Sequence, residues 1–251
     1  MDMNLNDTQA RDLNKDFWNT TADQWFGTTA LPEYGVHFVT ENELHLFGDV
    51  SGKKMLEIGC GSGHSLVYHA KHGAGELWGI DISEHQLANA KKHLTDNNVT
   101  ANLICSPMEN ECGLPTEYFD IMYSIYAIGW TMDLTGTFKR LATYLKKDGI
   151  FIFSWKHPLM RCVNVEDKKL IFENSYFDEE LYSMQAWDQP LLLRNYKIST
   201  YINALAEAGF IIEKMIEQSS DEVLAMTGDL DDKVKRAQSL PLSFVFKVRK
   251  G

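Results

Sequence analysis

The sequence predicts an α/β protein built on a parallel, doubly wound sheet. Three observations carry that expectation. From residue 53 onward, five short apolar runs alternate with segments of helical hydrophobic period; a glycine cluster follows the first run; an acidic residue closes the second. Parallel strands need crossover connections, and helices on both faces leave such strands almost continuously apolar, as these runs are.

The elements follow in order. Residues 1–47 are polar and aromatic-rich, with Phe17, Trp18, Trp25, Phe26 and Tyr34 set among Asn, Asp and Thr. They read as short helices and loops, a cap segment ahead of a main domain over 48–251. Met55 to Cys60 is an apolar run ending in glycines, hence a buried strand. Ser65 to His72 is a helix with Leu66, Val67 and Ala70 inward, stopped by Gly73. Glu76 to Asp81 is the second strand. Ser83-Glu-His-Gln86 has capping-box spacing, and Leu87, Ala90 and Leu94 share one face of the helix it starts. Ala101 to Cys105 and Phe119 to Tyr126 are the third and fourth strands. Leu134, Phe138, Leu141 and Leu145 predict a helix running to Asp148-Gly149, and Ile150 to Trp155 a central strand.

The remainder breaks that rhythm. Residues 156–198 form an insertion too aromatic for a linker (Phe172, Tyr176, Phe177, Tyr182, Trp187); Tyr176, Tyr182 and Trp187 read as a packed cap core, and the insertion as a whole, at the mouth of an α/β crevice, as a candidate substrate lid. Ser199 to Ala208 is a helix ended by Gly209. Phe210 to Glu217 and Leu242 to Arg249 are strands with no full amphipathic helix between them, so an antiparallel hairpin with a long 218–241 loop is expected. In the last strand Leu242, Phe244, Phe246 and Val248 alternate inward with Ser243, Lys247 and Arg249 outward.

Composition narrows the function classes. The 251 residues carry 24 basic and 35 acidic side chains, a formal net charge of −11. That balance disfavours a protein that grips phosphate backbones, so nucleic acid is not an expected partner. Cys60, Cys105, Cys112 and Cys162 lack CxxC or paired-His spacing, which suits reduced thiols in a cytoplasmic protein and no metal site. Met1 to Ala10 is polar, so no signal peptide is expected, and no run approaches a membrane span. The acidic stretch Asp229 to Asp232 reads as a solvated face, and His69, His72, His85 and His93 as exposed helix positions.

Leu56-Glu-Ile-Gly-Cys-Gly-Ser-Gly63 joins a strand to a helix with G-x-G-x-G spacing. Glycines there let a ligand approach the backbone, and the helix start offers free N–H groups. Position 64 is His64, so the dinucleotide fingerprint G-x-G-x-x-G is not met. Asp81 follows Gly59 by 22 residues and ends the second strand, where a carboxylate can accept both ribose hydroxyls. Turn and acid together indicate an adenosine-containing ligand. The plain alternative is a tight turn plus an Asp that caps the next helix.

These residues resemble the class I S-adenosylmethionine-dependent methyltransferases. Residues 56–63 are similar to their first motif, Gly79-Ile-Asp-Ile-Ser83 to their second, Phe119-Asp-Ile-Met-Tyr-Ser124 to their fourth-strand motif, and Leu145 to Phe153 to the fifth-strand block. The match runs over 53–155 and resumes over 199–248, closest to the small-molecule, quinone-biosynthesis-like branch. The resemblance implies a Rossmann-like seven-stranded sheet of order 3-2-1-4-5-7-6 with strand seven antiparallel, and S-adenosyl-L-methionine as cofactor, leaving as S-adenosyl-L-homocysteine. It implies that Gly59, Cys60, Gly61 and Gly63 lie against the methionine portion, oriented by Glu57. Asp81 would hold the ribose and Ile82 the adenine face. Ser106 stands where the family has an adenine-binding Asp, with Met108 and Glu109 as substitutes; Ser124 and Tyr126 would border the sulfonium, and Tyr34 would meet the methionine carboxylate.

In a doubly wound sheet the crevice lies beyond the carboxyl ends of the strands, which selects Tyr126, Trp130, Trp155 and His157. His157 is the candidate general base, with Tyr126 a second catalytic candidate; a His that fixes the turn before Pro158 is the competing reading. Arg161, Arg194 and Tyr176 are candidate acceptor contacts. Ion pairs from the arginines to Glu166, Asp167 or Asp178 to Glu180 are the plainer expectation. The resemblance also implies that the residues before the first strand fold over the cofactor, which raises Trp18, Trp25, Tyr34 and His37 as contacts; for Trp18 and Trp25 the plainer expectation is core. The expected activity is methyl transfer to an O, N or C atom of a small molecule, by a monomer or a dimer. A nicotinamide-dependent oxidoreductase and a non-catalytic cofactor-binding module are the alternatives.

Overall fold

A computed structural model gives the architecture and describes residues 5–166 and 169–251. The polar segment 1–4 and Asp167, an expected ion-pair partner, lie outside the described residues. Two helices, α1 (Asp7–Thr20) and α2 (Glu41–Leu44), precede the sheet. The parallel strands are β1 (Lys54–Ile58), β2 (Glu76–Asp81), β3 (Asn102–Cys105), β4 (Phe119–Ile125) and β5 (Leu145–Lys156). Crossovers run through α3 (His64–Lys71), α4 (Glu84–Asp96) and α5 (Leu134–Tyr144), while 106–118, between β3 and β4, contains no helix.

The insertion then forms α6 (Leu159–Cys162), the hairpin β6 (Val163–Glu166) with β7 (Lys169–Phe172), and the hairpin β8 (Leu181–Ala186) with β9 (Gln189–Arg194). The chain finishes through α7 (Ile198–Glu207), β10 (Phe210–Ile216), α8 (Asp221–Ala225), α9 (Asp232–Ser239) and β11 (Ser243–Lys250). The main sheet has seven strands in the order β3-β2-β1-β4-β5-β11-β10, with β11 antiparallel to both neighbours. This is the expected 3-2-1-4-5-7-6 order once the insertion hairpins are set aside.

Four local expectations are corrected. α5 stops at Tyr144, because Leu145 already pairs with Phe119 in the ladder, and 146–149 bulge out before Ile150 meets Ile121; Asp148 sits at φ +60° there. The 218–241 segment holds α8 and α9, N-capped by Ser220 and Asp231, rather than a loop. Ser243 is buried, since β11 is covered on both faces and its hydroxyl lies under Gly35 and Tyr126. The insertion's aromatics do not pack together as one cap core: Phe172, Phe177 and Trp187 are 72%, 81% and 57% exposed, Tyr182 packs partly buried against the main core, and the buried side chains of the insertion include Cys162, Val163, Val165 and Leu191–Leu193.

Alternation along β5 divides the core. Phe151 and Phe153 point to one side, where α5 and α7 bring Phe138 and Tyr201 and β11 brings Phe244 and Phe246. Ile152 points to the other, with Val245, Tyr123 and the α3 residues Leu66 and Val67. Truncating a fully buried ring such as Phe138 to Ala removes about 3–5 kcal/mol, so this packing fixes the strand ends that carry the site.

Candidate functional site

The carboxyl ends of β1, β2 and β4 open into a cleft of about 910 Å3, counting the solvent at its mouth. Its floor is the turn after β1. Gly59, Gly61 and Gly63 adopt φ of +70°, +48° and +76°. A Cβ on Gly59 would lie 2.4 Å from the Cβ of Ala127, so only glycine fits that position. The amides of Gly59 and Cys60 both donate to the carbonyl of Ile80, at 2.8 and 2.9 Å, which clamps the turn to the end of β2.

Asp81 closes the same end. Its Oδ2 accepts from the Gly61 amide at 2.8 Å and its Oδ1 from the Ser83 amide at 2.9 Å. Burial nevertheless pushes its carboxyl up to about 6, opposed by those backbone donors. Each oxygen retains acceptor capacity toward the cleft. Ile82, Ser106, Met108 and Glu109 continue the wall. Ser106 donates its hydroxyl to the Pro107 carbonyl at 3.1 Å, and Glu109 accepts the Met132 amide at 3.0 Å.

Across from the turn stands an aromatic wall. Trp18 lies 5.6 Å from Trp25 and 5.0 Å from Trp130, centroid to centroid, and all three line the cleft with Tyr126. Two polar atoms on this lining are buried and lack a protein partner: Trp25 Nε1 and Gln86 Oε1. Buried polar atoms normally find partners, so both suit a ligand with hydrogen-bonding groups. His64, the residue after the last glycine, stacks on His93 at 3.8 Å with Phe26 edge-on at 4.7 Å. Burial and the neighbouring His93 lower His64 to about 4.

Comparison with known proteins accords with this geometry. The family described as methyltransferase domain matches residues 56–153. An uncharacterized protein of Haemophilus influenzae is 29% identical over 186 residues, covering 69% of this chain and 73% of that protein. A ubiquinone biosynthesis O-methyltransferase of Neisseria meningitidis is 30% identical over 107 residues, covering 42% of this chain and 45% of its own length. The crystal structure of a putative S-adenosylmethionine-dependent methyltransferase from Listeria monocytogenes shares the fold, with TM-score 0.70, 24% identity, and coverage of 83% of this chain and 94% of that one. Residues 56–153 are a methyltransferase domain, and the chain has the fold of the class I S-adenosylmethionine-dependent methyltransferases. Their cofactor suits the observed lining: a positive-φ glycine cradle, a buried carboxylate at ribose distance in sequence, and unpartnered indole and amide atoms.

Within this fold several expected residues stand elsewhere. Tyr34 is buried and donates its hydroxyl to Glu41 at 2.7 Å, so it does not line the cleft. Glu57 lies beneath the turn, with Oε2 unpartnered and its carboxyl held well above the usual range by burial. Ser124 donates to the Ile58 carbonyl at 2.9 Å, tying β4 to β1 instead of facing the cleft. Trp155 packs under Gly129 and beside Tyr126, one layer behind the lining.

The base candidate His157 is also off the cleft. It is buried, its Nε2 lies 2.7 Å from Glu217 Oε1, and its Nδ1 accepts the Leu159 amide at 3.2 Å. Both nitrogens are occupied in fixing the turn around Pro158, which is the competing reading. Arg161 pairs with Asp178 at 3.1 Å and covers the Tyr182 ring, the plainer expectation for it. Arg194 pairs with Asp7 at 2.9 Å, and the Tyr176 hydroxyl accepts the Ile198 amide. None of these lines the cleft.

The lining residues not assigned to the site from the sequence include Arg11, Asn14, Trp18, Trp25 and 27–30 from the first 30, together with Ser62, His64, Ser65 and Gln86. The aromatics at 18 and 25 were the available signal, although they read as core. His69, expected exposed, is 1% exposed, and burial lowers it to about 3.

Proposed function

We propose that the protein is a cytoplasmic enzyme that moves the methyl group of S-adenosylmethionine to an O, N or C nucleophile of a small molecule. The observation that carries this reading is the cleft itself: a glycine cradle and a buried carboxylate on one side, closed by indole rings on the other. Four cysteines without disulfides suit a reducing compartment. No helix among the described residues is long and apolar enough to cross a membrane.

Bound there, S-adenosylmethionine supplies an electrophilic methyl on a sulfonium, so an acceptor lone pair forms the new bond while the carbon–sulfur pair returns to sulfur. The chain's own work is positional. Asp81 and Ile82 would fix the adenosine end. Tyr126, Trp18, Trp25 and Trp130 would exclude water where positive charge disappears, which favours the less polar transition state. Small-molecule acceptors fit a roof that folds over the cleft and a lining with a single arginine, too little positive charge to track a phosphate backbone.

Two measurements test the reading. S-adenosylhomocysteine at a hundredfold excess over its Kd should raise Tm by roughly 5–10 °C. Methyl-labelled S-adenosylmethionine incubated with a metabolite extract should give labelled products that Asp81→Ala abolishes. Equal labelling by that variant overturns the assignment.

A further inference from the structure

The β8–β9 hairpin of the insertion runs beside residues 7–25 of the roof and grips them at three points. Arg194 pairs with Asp7 at 2.9 Å, Leu192 exchanges two hydrogen bonds with Asn14, and Trp187 meets Trp25. Positions 194, 192 and 187 thus face 7, 14 and 25 in reverse order, so hairpin and roof lie antiparallel. The first two contacts hold α1. The third reaches the aromatic wall of the cleft: the Trp187 and Trp25 ring centroids are 6.4 Å apart with planes at 89°, an edge-to-face pair.

Trp25 needs such support. It lies past the end of α1, in irregular chain whose residues 23, 24 and 26–29 are all exposed. The rings touching its indole are Trp18, at 5.6 Å, and Trp187. Its Nε1 is a buried donor on the cleft lining without a protein partner. Trp187, for its part, is placed against local preference. Ala186 pairs with Gln189, which leaves Trp187 and Asp188 as a two-residue turn at φ +53° and +57°. Such turns favour Asn and Gly, and a bulky side chain persists in them only where its surroundings hold it. Since Trp187 is 57% exposed, core burial does not account for it. The ring contact it makes is with Trp25.

We propose that Trp187 is a positioning residue for the cofactor. It pins the Trp25 indole against the cleft, keeps Nε1 presented to the bound ligand, and so slows that ligand's release. Trp187 does not itself line the cleft, so it acts through Trp25. The inference rests on the cofactor reading above and adds to it a control on ligand exchange, exerted by the tip of the insertion. One edge-to-face pair is enough to change a dissociation rate by about three- to tenfold without deciding whether the chain folds.

The test measures S-adenosylhomocysteine dissociation from the full chain by stopped-flow displacement, with the unliganded Tm as the check on folding. Trp187→Asn suits the turn and deletes the ring, so dissociation should quicken by about three- to tenfold while Tm stays within about 3 °C. Trp187→Phe keeps an aromatic edge and should stay within about twofold of wild type. Trp25→Leu should also quicken dissociation, and adding Trp187→Asn to it should change the rate by less than about twofold. An unchanged rate in Trp187→Asn overturns the inference alone. So does a Phe variant as fast as the Asn variant, which would assign the effect to the turn and not to the ring. A double variant whose two effects multiply overturns it as well, because Trp187 would then not act through Trp25. Wild-type chain that binds no S-adenosylhomocysteine overturns the cofactor reading together with the inference.

Discussion

The floor and the roof of the cleft are built by different means. The floor is backbone: the Gly59 and Cys60 amides on the Ile80 carbonyl, the parallel β1–β2 ladder, and glycines at positive φ. The roof, residues 7–37, is held mostly by side chains, with backbone bonds only near its end, where the Ser220 amide donates to the His37 carbonyl and the Glu41 amide to the Pro32 carbonyl. Asn14 donates to the Leu192 carbonyl and accepts the Leu192 amide, both at 2.8 Å. Lys15 reaches Glu84 at 2.6 Å, Ser83 donates to Asn19 at 2.7 Å, and the Leu31 amide donates to Ser65 at 3.1 Å. Ladder bonds open only with the sheet, whereas side-chain clasps can break one at a time. The floor is therefore expected to be permanent and the roof to be the part that admits ligand.

The largest effect that would break this comparison lies in the floor. Gly59→Ala drives a methyl into Ala127 and strains φ, lowering stability by about 2–4 kcal/mol and S-adenosylhomocysteine affinity by about a hundredfold or more. Denaturant unfolding and calorimetry check it; a variant that binds normally would mean the turn is not the cradle. In the roof, Asn14→Ala leaves a buried amide and carbonyl of Leu192 unpaired, for about 1–3 kcal/mol. Limited proteolysis should then cut within residues 7–37 first, while hydrogen exchange in β1 and β2 stays slow. Simultaneous loosening of both would erase the distinction.

Two smaller effects depend on pH. Asp81 accepts ribose hydroxyls best as the carboxylate, and its folded value lies near 6. Affinity for S-adenosylhomocysteine should be full at neutral pH and fall about tenfold by pH 5, one decade per unit below that value. Asp81→Asn should bind weakly with a flat profile. The smallest effect joins roof to floor through the Phe26–His64–His93 stack. His64 titrates near 4 when folded, against 6.5 ordinarily, so the unfolded chain binds more protons between those values. Its share of stability is complete above about 6.5 and is lost as pH falls toward 4. Urea midpoints of wild type and His64→Phe should converge on the acid side of that window.

What was legible in the sequence follows the same line. The β-strands, the glycine turn and Asp81 announce themselves through local pattern, because turn geometry and strand burial are set within a few residues. The terminal hairpin was readable from the missing crossover helix. The family resemblance implied a cover from the residues before β1, but how that roof is anchored was not legible, because Asn14 finds Leu192 across 178 positions and no local signal marks the pair. His157 illustrates the opposite hazard. Its place after β5 suggested catalysis, but Glu217, contributed from beyond β10, turns it into a fixture of the loop. Tyr34 was drawn away in the same manner by Glu41, and Arg194 by Asp7.

The Asn14–Leu192 clasp also orders events during synthesis. β1 to β4 lie within residues 54–125 and leave the ribosome as a nearly contiguous block, so the turn and Asp81 can take shape early. α1 emerges before all of them yet waits for β9. At about 5–20 residues per second that delay is roughly 10–35 s. Through that interval the nascent chain carries its indole rings uncovered, and a truncation anywhere before residue 192 yields a chain with the cradle encoded and its cover unanchored.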